Sequence, residues 1–150
     1  MRFLSLIVFT GLVASSCNDN STTTNRPFIP NVPVNITINT DLPSYYHLQT
    51  PGNYALVNGG SRGIFLVHNF DDVFYAVERT CTYHPDDSCA FVQIDSGNIQ
   101  LKCGTFVDGK YEACCASKYA FEGTVLQGPS VWALKQYNVF ENGNLITIRN

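Results

Sequence analysis

The chain of 150 residues is one domain's worth of protein, and its formal charge of −3 is spread without any basic block. That excludes the electrostatic footprint of a nucleic-acid-binding protein, and equally the attraction of a basic patch to an anionic membrane surface. Eleven glycines, seven prolines, eight tyrosines and ten phenylalanines, with only 14% charged residues, point to a loop-rich, exported all-β domain.

The first residues read as a targeting segment. Arg2 is a positive start, residues 3–13 are apolar but too few to span a bilayer as a helix, and Ala14-Ser15-Ser16 precedes Cys17. Small residues before a cysteine resemble a bacterial lipoprotein signal, in which the chain is cut before Cys17 and that residue is lipidated. An ordinary secretory signal with Cys17 as a bystander is the alternative. Residues 1–16 are therefore expected to be signal peptide. Residues 17–26, polar and rich in Asn, Ser and Thr, are a tether, and 27–150 are the folded domain. Export to a bacterial membrane, on the periplasmic or cell-surface side, makes disulfides possible.

Pro27, Pro30 and Pro33 stiffen the start of the domain. Apolar–polar alternation predicts a strand over 34–39, and 45–48 fits either an extended piece or one helical turn. Further strands are expected over 54–57, 64–68, 73–77, 90–94, 99–105 and 110–115. Short extended pieces follow at 119–121, at Leu126 and over 131–134. A last hairpin pairs 137–140 with 145–148. Turn residues separate all of these, including Asp95-Ser96-Gly97-Asn98 and Val107-Asp108-Gly109. Many short strands and no helix beyond a turn or two indicate a barrel or sandwich of antiparallel strands. For the hairpin at Gly109, a three-residue loop is expected. It would set Thr105 opposite Tyr111 and Cys103 opposite Ala113, keeping Ile99, Leu101 and Cys103 on one face.

Five of the six cysteines lie between Cys81 and Cys115. Cys81-Thr82-Tyr83 opens one loop and Cys114-Cys115-Ala116-Ser117-Lys118-Tyr119 forms a second. Gly123, Gly128-Pro129-Ser130 and Leu134-Lys135-Gln136-Tyr137 follow. In these motifs the stretch from about Ile64 to Ile148 resembles a Rieske domain, and more narrowly the Rieske-like bacterial lipoproteins. The resemblance implies an all-β open barrel or sandwich with a two-loop, cysteine-bearing tip. It also implies a [2Fe–2S] cluster on two thiolates and two imidazoles, and one-electron transfer to a partner that docks at the tip.

Carried over residue by residue, the ligand set is degenerate. Cys81 keeps a thiolate position, Tyr83 stands at a histidine position with His84 as its alternate, Glu112 stands at the second thiolate position, and Cys115 stands at the second histidine position. The expectation is a tip with no metal and no cofactor, with a [2Fe–2S] centre as the alternative. The resemblance further implies a Cys89–Cys114 disulfide bracing the loops, and a second bridge between Cys81 and Cys115 is a further option. Cys103 is left over, as a small buried hydrophobe or exchanged into one of those pairs.

The function expected is a lipid-anchored binding or accessory protein of the envelope. It is more a non-enzyme than an enzyme, and it meets the membrane through Cys17 and an unknown protein partner. An electron-transfer protein with a Rieske-type or atypical iron–sulfur centre is the alternative. His47 and His68 lack an Asp or Ser partner at a telling spacing and read as surface or edge residues. Residues 59–63 are glycine-rich but lead into a strand rather than a helix, so they do not read as a phosphate cradle. Asp86-Asp87 reads as a solvated pair and Trp132 as a packing residue near the loops.

Overall fold

The structure, a computed structural model, describes residues 26–150 apart from Ser96 and Asn98. The expected signal peptide, Cys17, nearly all of the tether and part of the turn after Asp95 lie outside the described residues.

Among the described residues, ten strands follow in order: β1 (Asn35–Asn39), β2 (Tyr54–Val57), β3 (Ile64–His68), β4 (Phe74–Glu78), β5 (Val92–Asp95), β6 (Gln100–Val107), β7 (Lys110–Tyr119), β8 (Val125–Gln127), β9 (Gln136–Asn142) and β10 (Leu145–Arg149). Tyr46–Gln49 form a single 3-10 turn, which settles the ambiguous stretch at 45–48 and buries Leu48. The four residues 131–134 form no strand; the Leu134 amide instead donates to the Gly123 carbonyl. All pairing is antiparallel. One sheet runs β1-β10-β9-β4-β3-β2 and the other β5-β6-β7-β8. The architecture is the curled, all-β open barrel that the strand pattern predicts.

Two cores result, and β3 explains why. Its five residues are all buried, because both faces of the strand are covered. Strand geometry sends alternate residues opposite ways. Ile64 and Leu66 join Val34, Ile38, Leu48, Ala76, Ile146 and Ile148 on one side. Phe65 and Val67 join Val77, Cys81, Val92, Leu101, Cys103 and Tyr119 on the other, under the second sheet.

The β6–β7 hairpin departs from the expected register. Val107 pairs with Lys110, Phe106 with Tyr111 and Thr105 with Glu112, so the loop is the two-residue Asp108-Gly109 turn. Both turn residues have positive φ, 49° and 75°, the combination that matches the twist of a tight hairpin. The apolar face is rescued farther along. Between the Gly104–Ala113 and Lys102–Lys118 pairs, one residue of β6, Cys103, stands against four of β7, residues 114–117. This large bulge resets the faces, so that buried Leu101 pairs with buried Tyr119. Tyr111 Oη donates to the Cys103 carbonyl at 2.6 Å, satisfying an acceptor at the disrupted ladder.

Two further side chains sit differently from the sequence reading. His68 is buried, not at the surface. One ring nitrogen is 2.7 Å from the Leu48 carbonyl, the other is 2.8 Å from Asp72, and the ring stacks on Phe74 at 4.2 Å. The glycine-rich loop does cradle an anion, but an internal one. The Ser61 and Arg62 amides donate to the buried Glu78 carboxylate at 2.8 and 2.9 Å, and Tyr137 Oη donates to it at 2.7 Å. Gly60, at φ 66°, has to be glycine, since a Cβ there would strike Glu78 and the Tyr137 hydroxyl.

Candidate functional site

The tip is built by two loops held at their roots. The Cys81 amide donates to the Ala90 carbonyl and the Val92 amide to the Arg79 carbonyl, closing loop one at its base. Loop two is the β7 bulge. A disulfide joins the loops, Cys89–Cys114, with S–S 2.04 Å and Cα–Cα 5.4 Å. The expected brace is therefore present. Adjacent residues of a strand point to opposite sides, so Cys114 serves the brace while Cys115 joins Cys81 and Cys103.

Cys81, Cys103 and Cys115 are free, and their sulfurs lie within 4.8 Å of one another. The Cys81 and Cys115 sulfurs are 3.8 Å apart as thiols, so the optional second bridge is not formed. Cys81 and Cys103 are fully buried and Cys115 is half-buried. Hydroxyls touch two of the sulfurs and connect them. Tyr119 Oη is 3.4 Å from Cys81 Sγ, and Thr82 Oγ1 is 3.0 Å from Tyr119 Oη. Thr82 Oγ1 also donates to the Trp132 carbonyl and lies 2.6 Å from Ser130 Oγ. Ser117 Oγ accepts from Cys115 Sγ at 3.2 Å and from the Ser130 amide at 2.9 Å. The chain of contacts thus leaves from one sulfur and returns to another. Its members Thr82, Ser117, Tyr119 and Ser130 are all buried. Their motifs are visible in the sequence, but their common destination is not.

The electrostatics favour one thiolate in this group. Hydrogen bonding from Cys103, followed by Tyr119 and the Tyr83 backbone, holds the Cys81 thiol down to about 6 against the opposing cost of burial. Cys103 is pushed up, first by donating to Cys81 and then by burial. Burial raises Tyr119, which therefore stays a neutral donor. A buried anion here is stabilised by aligned S–H and O–H groups rather than by a cation.

The remaining ligand positions are not gathered in. Tyr83 and His84 are exposed at the end of loop one, their rings edge to face at 4.3 Å, and His84 has φ 50°. Glu112 is exposed on β7 opposite Thr105. Among the described residues, none of the three joins the sulfur group. The one that does join is Cys103, which the sequence reading set aside. It pairs with Val92 on β5 and is carried inward beside the bulge.

No protein-family model matches the chain, and no curated protein does either. Solved structures do. A cyanobacterial plasma membrane Rieske protein, PetC3 from Synechocystis PCC 6803, is similar over 77% of this chain and 99% of its own, with 22% identity and a TM-score of 0.56. The ferredoxin of carbazole 1,9a-dioxygenase from Nocardioides aromaticivorans IC177 aligns over 78% of this chain and 96% of its own, with 18% identity and a TM-score of 0.48. The chain has the Rieske fold.

The expectation of a tip without a cofactor is accordingly corrected. A Rieske fold with three free sulfur donors gathered at its tip points to an iron–sulfur cofactor rather than none. Counting positions along the chain left one clear ligand, Cys81. The fold brings the Cys103 and Cys115 sulfurs within 4.8 Å of it and of each other. The donor set fits thiolate ligation. It does not supply the imidazole half of a two-thiolate, two-imidazole centre, since His84 lies outside the group and His68 is committed elsewhere.

Proposed function

We propose that this protein is an exported Rieske-fold electron-transfer module, with an atypical iron–sulfur centre held by Cys81, Cys103 and Cys115. The single observation that carries this reading is the convergence of three free sulfurs within 4.8 Å at the two-loop tip. The cofactor would supply one-electron chemistry. The chain's own residues do the rest. The Cys89–Cys114 disulfide fixes the spacing of the loops. Tyr119 and Ser117 contact Cys81 and Cys115, and hydrogen bonds to sulfur are a lever on potential. Buried Leu101, Val92 and Phe121 exclude water from the inner side.

The module is anchored to a bacterial membrane by lipidated Cys17, with 1–16 removed as signal and 17–26 as tether. The support for this is the sequence of that region. Among the described residues, no helix is long and apolar enough to cross a membrane. A partner protein meets the tip around exposed Tyr83 and Val131, the latter flanked by two residues bound to Thr82.

The test is anaerobic purification of the full chain from membranes, followed by iron and sulfide assay and electron paramagnetic resonance after reduction. Iron and sulfide in equal amounts, with a reduced-state signal, are expected. Iron-free, colourless protein from the same preparation would overturn the redox reading and leave a binding or accessory role in the envelope. A Cys17→Ala variant should shift from the membrane to the soluble fraction or stay uncleaved. Unchanged processing and membrane yield would remove the anchor.

A further inference from the structure

Away from the tip, a cleft of about 370 Å³ opens between the two sheets, with Leu56, Phe65, Ile94 and Phe106 as its apolar walls and Arg79 inside it. Arg79 follows β4, where its amide is tied to the Gly63 carbonyl. Its guanidinium lies over two rings, 5.2 Å from the centroid of Phe65 and 5.5 Å from that of Phe91. Aromatic faces hold a guanidinium in place but accept none of its N–H groups in plane.

The charge is attracted by the neighbouring Glu78 but is not hydrogen-bonded to it. Arg79 Nε is buried and has no hydrogen-bond partner, and among the described residues the side chain makes no ion pair. The neighbouring carboxylate cannot serve, because Glu78 is filled by the Ser61 and Arg62 amides, Thr80 and Tyr137. Arg62, the other cation nearby, spends one Nη on the Asp87 carbonyl and lies over the Phe91 ring. Nε is closed to solvent, so a ligand entering the cleft meets the Nη end of the guanidinium.

We propose that this cleft is a binding site for an organic monocarboxylate with an apolar body. The carboxylate pairs with the Nη groups of Arg79, since Nε is closed to solvent, and the body lies against Leu56, Ile94 and Phe106. With Arg79 as its one cation beside Tyr54 and Gln93, the lining matches a single negative charge rather than a phosphate, which would call for several donors. Leu56 and Phe106 are 49% and 53% exposed, so the walls are open to a ligand arriving from solvent. The site is independent of the tip, and the reading stands whether or not the tip holds iron.

The test is calorimetric titration of the full chain, held in lipid nanodiscs, with cinnamate and with its neutral amide, cinnamamide. Cinnamate should bind at least tenfold more tightly than the amide. Arg79→Gln should abolish that difference while leaving weak binding of the amide. Phe106→Asp, a change at an exposed position, should weaken cinnamate by tenfold or more by placing a negative charge at the mouth. It provides an answer even if Arg79→Gln proves too unstable to purify. Near-ultraviolet circular dichroism confirms that each variant is folded. Equal affinities for acid and amide, no binding of either, or cinnamate binding indifferent to Phe106→Asp would overturn the proposal.

Discussion

Ile64 and Leu66 leave one face of β3 and Phe65 and Val67 leave the other, and the two faces lead to different chemistry. The first core is apolar, closed over by β1 and β10, and contains no cysteine. The second holds buried Cys81, Cys103 and Tyr119, with Cys114 and Cys115 packed against it, and the hydroxyls of Tyr119 and Ser117 touch two of its sulfurs. The same strand serves both, so the sulfur group is backed by a wall that a separate apolar core keeps rigid. Stability and chemistry are thereby placed on opposite sides of one sheet, and perturbations of one side should spare the other.

The largest test of that division is at the sulfurs. Cys81→Ser, Cys103→Ser and Cys115→Ser should each reduce bound iron to background while leaving a folded protein, as read by metal analysis and circular dichroism. If Cys103→Ser retained full iron, the three-sulfur group would lose its member from β6. On the other side, Leu66→Ala should cost about 2–5 kcal/mol in urea unfolding, with the spectrum of the tip unchanged. A changed spectrum in this variant would mean the cores are coupled through β3.

Replacing the brace, Cys89→Ala with Cys114→Ala, should cost about 2–4 kcal/mol and loosen the loops so that the centre is lost faster on air exposure. The smallest effect concerns Cys81 in metal-free protein. Its thiol is held below its ordinary value of 9.0, at about 6. That contribution to stability is complete above about pH 9 and lost as pH falls through about 6. Tyr119→Phe removes one donor, so the Cys81 titration should move upward and the slope of stability against pH should flatten. Denaturant midpoints across that range check it, and an unchanged slope would leave Cys103 as the donor that matters.

Much of the fold could be read from the chain. The alternation of Asn35-Ile36-Thr37-Ile38-Asn39 and the apolar run Ile64-Phe65-Leu66-Val67 fall on β1 and β3. These patterns are local consequences of which faces are covered. The hairpin at Asp108-Gly109 was misjudged because face-matching by simple alternation assumes an unbroken ladder. The bulge opposite Cys103 lets the tight turn and the apolar face coexist. His68 was placed at the surface because a histidine four residues before an aspartate, with a backbone carbonyl as its other partner, gives too weak a local signal.

The candidate site divides in the same way. The two cysteine loops, the Gly-Pro-Ser turn and the Cys89–Cys114 pairing were legible as a resemblance, since they are sequence motifs at fixed intervals. The membership of Cys103 was not, because it sits on a strand between the loops and is brought in by pairing with β5 and by the β7 bulge. The Arg79 cleft was also invisible, as it joins residues from both sheets. By itself the sequence determined the strands and the two-loop frame, because these depend on residue type and spacing. Only the tertiary structure decided which sulfurs meet and that Arg79 lines a cleft with residues of both sheets, because both depend on how the two sheets curl over one another.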